Sequence, residues 1–86
     1  MAATMAEELR QMRRREPFQP FRVFDRVGAH YDVLNFCEVM VTPFVVVLPV
    51  RIRDPHDPEA GYPAFVELDK VVRIEPILAP SLNGSP

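Results

Sequence analysis

The apolar positions Met5, Leu9 and Met12 recur at the spacing of one helical face. Thr4-Met5-Ala6-Glu7 before them reads as a capping box, with the Thr4 hydroxyl accepting from the Glu7 amide. Glu7 and Glu8 suit the positive end of a helix dipole; Arg13, Arg14 and Arg15 suit its negative end. Pro17 cannot continue a helix and pushes Glu16 toward an extended backbone, so the pattern predicts one α-helix over 5–15. Three turns are marginal alone, and the stripe must dock on something.

From Phe21 onward the period shortens to two. Phe21 to Arg26 and His30 to Leu34 read as strands joined by the turn Val27-Gly28-Ala29. Val39 to Val41 resumes the pattern, and Thr42-Pro43 marks a bulge or kink. Phe44 to Leu48 is apolar throughout, and Val50 to Arg53 alternates. Asp54 to Pro63 has the composition of an exposed loop. Ala64 to Leu68 and Val71 to Glu75 close the set, with Leu68-Asp69-Lys70 as one tight turn between them. The pattern predicts a mainly β fold: a small antiparallel SH3-like or Sm-like barrel of about five short strands, with one N-terminal helix. Residues 1–77 form the single domain, and 78–86 are expected to be a disordered tail.

Phe44 to Leu48 changes the picture most. Five consecutive apolar residues load both faces of a strand. One face fills the barrel; the other needs a cover, from the helix or from another copy of the chain. Met5, Leu9 and Met12, with Phe44, Val46 and Leu48, are the predicted helix-docking or self-association surface.

Composition narrows the functions. With 86 residues, 48% of them hydrophobic, the chain holds one small core and no large nucleotide-binding sheet. Ten prolines against three glycines break up any second long helix. The net charge of −2 is not that of a general nucleic-acid binder. One cysteine, Cys37, excludes an internal disulfide and zinc sites built on cysteine pairs. The first residues lack the apolar centre of a secretory leader, and the longest apolar run, Val39 to Val50, is too short to span a bilayer as a helix. A soluble, cytoplasmic protein with no membrane partner is expected.

Little here could do covalent chemistry. Ser81 and Ser85 lie in the tail, and Cys37 with His30 makes a poor dyad. Asp54-Pro55-His56-Asp57-Pro58-Glu59 gathers acids and a histidine but lacks an established ligand spacing, so no metal or other cofactor is assigned. Asp25, Asp32, Glu38 and Glu67 read as solvated surface acids, and Lys70 as an ion-paired neighbour of Asp69. Arg10, Arg13, Arg14 and Arg15 are the candidate anion or nucleic-acid contacts.

The segments Glu16-Pro17-Phe18-Gln19-Pro20-Phe21-Arg22-Val23, Gly28, Tyr31-Asp32-Val33, Glu38 and Leu68 to Pro76 resemble a group of small bacterial proteins. Those have an N-terminal helix, a PF-x-PFR-[IV] segment and a closing V-x-[RH]-I-E-P strand. Val27-Gly28 stands where that group has an Asp-Gly turn, and Phe36-Cys37 where it has His-Pro. The resemblance implies the fold and no activity. The element order is also similar to that of Sm-like RNA-binding proteins, but Leu68-Asp69-Lys70-Val71 lacks their histidine, so their RNA-binding residues do not carry over. These readings point to a non-enzymatic interaction or regulatory module, with a protein partner or a homo-oligomer as its assembly. The alternative is an Sm-like RNA binder using the helix arginines.

Overall fold

A computed structural model describes residues 4–57 and 60–78. The helix α1 runs Met5–Arg14, with Arg15 as its C-cap, one residue short of the predicted end. The Thr4 hydroxyl accepts from the Glu7 amide at 3.2 Å, as the capping box requires. Leu9 is fully buried, with Met5 and Met12 packed beside it.

Six strands follow among the described residues: β1 Phe21–Asp25, β2 His30–Val33, β3 Met40–Val41, β4 Val45–Arg51, β5 Gly61–Glu67 and β6 Val71–Pro76. They form two antiparallel three-stranded sheets, ordered β2–β1–β6 and β3–β4–β5. The predicted mainly β chain with one helix is therefore present, but the closed barrel is not. β2 and β4 lie side by side without a ladder joining them. The physical reason lies in Leu34 to Val39. These residues leave the extended backbone for a 3-10 turn at Phe36–Glu38, which interrupts the strand that would have bridged both sheets.

Local chemistry sets the turns. Gly28 has φ +93°, a left-handed value that costs glycine little. The Asp25 carboxylate accepts from the Val27 amide at 3.1 Å and the Ala29 amide at 2.9 Å, closing the β1–β2 hairpin. Thr42-Pro43 is a turn between β3 and β4 rather than a kink within one strand. The Thr42 hydroxyl accepts from the Val45 amide at 2.9 Å and donates to the Val45 carbonyl at 2.8 Å. Leu68–Lys70 is a 3-10 turn, as the sequence suggests. The 54–63 loop is shorter than predicted, because β5 begins at Gly61. The expected tail, 78–86, lies outside the described residues except for Leu78, which is exposed.

The inner faces of both sheets share one core. Phe21, Val23 and Val33 from one sheet and Val46, Leu48 and Val66 from the other are buried around Leu9, with Val39 and Val71. The helix lies against β3 and the Leu68–Lys70 turn. Gln19 ties the ends of this core together, its amide donating to the Ile77 carbonyl at 2.8 Å.

Candidate functional site

Alternation along β4 splits the apolar run by face. Val46 and Leu48 point inward, opposite Val66 and Ala64 of β5. Val45, Val47 and Pro49, all half-buried, take the other face. The register aligns Met40, Val47 and Phe65 in one row across three strands. Pro49 pairs with Pro63 in the next row but one, and Val45 with Glu67 on the other side. Met40 is 62% exposed and Phe65 73%. Met40 and Phe65 are thus open to solvent on either side of the half-buried Val47, with the Pro49–Pro63 pair beyond them on one side.

Phe44, assigned with Val46 and Leu48 to the helix-docking or self-association surface, lies 79% exposed in the turn before β4. The strand begins only at Val45, so the alternation that buries Val46 does not extend back to it. Phe44 therefore adds to the exposed apolar residues near the outer face.

The helix arginines are unequal. The Arg13 Nε donates to the Val39 carbonyl at 3.0 Å and to the Phe36 carbonyl at 3.2 Å. Arg13 thus ties the helix to the loop before β3 through its Nε. Arg10, Arg13 and Arg14 line a shallow hollow of about 230 Å³ with Met40 and Val41, and Arg13, Arg14 and Arg15 line another beside Phe18 and Phe36.

The acids have partners that composition did not reveal. The Glu38 carboxylate accepts from the Leu34 amide at 2.8 Å and the Arg51 guanidinium at 2.8 Å, and from the Asn35 amide at 3.3 Å. Burial works to raise its pKa; the Arg51 hydrogen bond and the two amides outweigh that and hold it below the ordinary value. Arg22 binds Asp32 through two hydrogen bonds, of 2.6 and 3.1 Å, which keep that carboxyl below its usual range against a smaller burial effect. Burial, then the hydrogen bond to Asp25, raises the Tyr31 phenol. These links are spatial, and acidic residues in turn-like segments gave no signal of them. Lys70 approaches Glu67 at 3.9 Å rather than pairing with Asp69.

A groove of about 450 Å³ runs between β2 and β4–β5, walled by Tyr31, Asp32, Arg51 and Tyr62. Arg51 there pairs with Glu38 and donates to the Asp32 carbonyl at 3.4 Å, while the Asp32 carboxylate pairs with Arg22. His30 lies against Phe24 and Asp32, and Cys37 is exposed on the 3-10 turn, so the two do not form a dyad. No group of three metal-ligating side chains occurs among the described residues, and Glu59 of the acidic loop lies outside them. No described helix is long and apolar enough to cross a membrane. No family model, curated protein or solved structure matches the chain.

Proposed function

We propose that the protein is a non-enzymatic interaction module whose binding surface is the outer face of β3–β4–β5. The observation that carries this reading is the apolar row Met40–Val47–Phe65, exposed at Met40 and Phe65 and centred on a strand whose inward Val46 and Leu48 are fully buried. Contiguous apolar surface on a small soluble domain is costly to leave wet and marks a contact surface. The fold fits best as an open relative of SH3-like and Sm-like barrels. The 3-10 turn before the last strand and the short antiparallel strands support that assignment. The alternative, an RNA binder using Arg10, Arg13, Arg14 and Arg15, has weaker support, because Arg13 already serves two backbone carbonyls.

The test is a photo-crosslinking side chain at Phe65, compared with one at Phe24 on the outer face of the other sheet. The probes are placed in the full chain, expressed in its own cells. Protein adducts from position 65 and few from position 24 are expected. Equal yields from both positions, or none from 65, would remove this reading.

A further inference from the structure

The occupant of that face can be argued from its charges. β4 and β5 run antiparallel, so the face has two different ends. Glu67, opposite Val45, marks one end; Arg51, opposite Gly61, marks the other. The Glu67 side chain is 61% exposed beside Lys70, and that of Arg51 is 45% exposed beside Glu38 and the Asp32 carbonyl, so both still meet solvent and can take a further partner. Between them the face carries Val45, Val47, Pro49, Pro63 and Phe65. The two charges sit six residues apart along the strands, roughly 20 Å.

We propose that the outer face of β3–β4–β5 binds the same face of a second copy turned end for end, so that Glu67 of each chain meets Arg51 of the other. This rests on the reading of that face as a contact surface. A two-fold axis makes a surface its own partner, so every contact is made twice. Two such axes lie in the plane between stacked sheets. An axis along the strands sets Glu67 near the matching acidic end and Arg51 near the matching basic end. An axis across the strands sets each acid over the opposite base. Only the second arrangement gives two attractive contacts around the apolar centre. A three-strand face about 15 Å wide and 24 Å long is small beside a standard interface. The pairing is therefore weak and concentration-dependent.

Sedimentation velocity on the full chain from about 5 to 200 µM tests this. The parent should pass from monomer to dimer, and Phe65→Lys should stay monomeric. Glu67→Arg alone and Arg51→Glu alone should each weaken the dimer at least tenfold, since each homodimer then brings like charges together twice. Mixing these two variants should restore dimers, because both contacts become opposite in sign. A parent that is monomeric throughout would overturn the proposal, while adducts at position 65 with another protein would leave the interaction reading standing. A dimer lost in Phe65→Lys but indifferent to both charge variants and to their mixture would overturn the end-for-end arrangement alone. Loss of the Glu38 pair could unfold Arg51→Glu, so a second measurement leaves Arg51 in place. A spin label at Glu67→Cys in a Cys37→Ser background should report a separation near 20 Å in the dimer. Strong dipolar broadening from labels in close contact would overturn the arrangement.

Discussion

On the outer face of β2–β1–β6, Arg22 stands between Asp32 and Glu75, and Phe24 between His30 and Arg73. The corresponding row of β3–β4–β5 is Met40, Val47 and Phe65. Both sheets have three strands, and both close the same core from opposite sides. The first sheet finishes its outer surface by itself. Arg22 pairs with Asp32, Arg73 pairs with Glu75 at 2.7 Å, and the Arg73 guanidinium lies 4.0 Å from the centre of the Phe24 ring. Even its one large aromatic side chain is covered by a cation from the next strand. The second sheet carries its ion pairs, Arg51–Glu38 and Lys70–Glu67, only toward its two ends. This contrast between a solvated outer face and an apolar one is what the proposed contact surface rests on.

The largest expected effect tests whether the two sheets are one folding unit. Leu9 is fully buried among residues of both. Leu9→Ala should cost about 2–4 kcal/mol, a large share of what so small a domain holds. Denaturant unfolding followed by far-UV signal and by tyrosine fluorescence should give one shared transition. Separate transitions would show that the sheets are independently stable and that the comparison concerns two units.

Next comes the strap between them. Glu38 accepts two amides of the Leu34–Asn35 segment and holds Arg51 of β4. Glu38→Ala should destabilise by about 1 kcal/mol, because exposed amides recover water while the pair to Arg51 is lost. Arg51→Ala added to it should cost little more, since the partners act as one link. Additive losses in that double-mutant cycle would dissolve the link.

The helix was readable because its signals are local: a cap three residues from its partner, a stripe one turn apart, a proline to end it. Most strands were readable for the same reason, through alternation of near neighbours. Sheet division was not, because the break at Leu34–Val39 depends on Glu38 reaching backbone amides and an arginine thirteen residues away. The strand starts at Val45 and not at Phe44, because five apolar residues in a row do not say where the first ladder bond falls. The bare face was half legible. The run Phe44 to Leu48 required two covers, but only the register shows that Met40 and Phe65 extend the uncovered side.

A smaller effect is expected from pH on the charged sheet. The Asp32 carboxyl lies below its unfolded value of about 3.9, so its stabilising contribution is complete above that value. The contribution falls away as pH drops through the folded value. Glu38, also lowered, adds a loss of the same sign beginning near its unfolded value of about 4.3. Stability should therefore decline on acidification below about pH 4.5, and Asp32→Asn should flatten part of that slope. A variant with the parent's slope would show that the Arg22 pair contributes nothing to it.

The smallest expected change in folding free energy gives the sharpest comparison. Val47 is the middle of the apolar row and Phe24 the middle of the ladder, each on the central strand of its sheet. Val47→Lys should alter stability by less than about 1 kcal/mol, because the lysine stem keeps apolar contact with Met40 and Phe65 while its ammonium reaches water. Phe24→Lys should alter it by a similar amount, losing the ring beneath Arg73 and placing a second cation beside it. The two differ in what they do to association. Val47→Lys puts a charge at the centre of the proposed contact, where pairing would have to desolvate it. Phe24→Lys puts one on a face already finished with charges. Light scattering at matched concentrations should show loss of the larger species for Val47→Lys and none for Phe24→Lys. Equal behaviour of the two would mean that the apolar face is merely tolerated, and the contrast between the sheets would have no functional content.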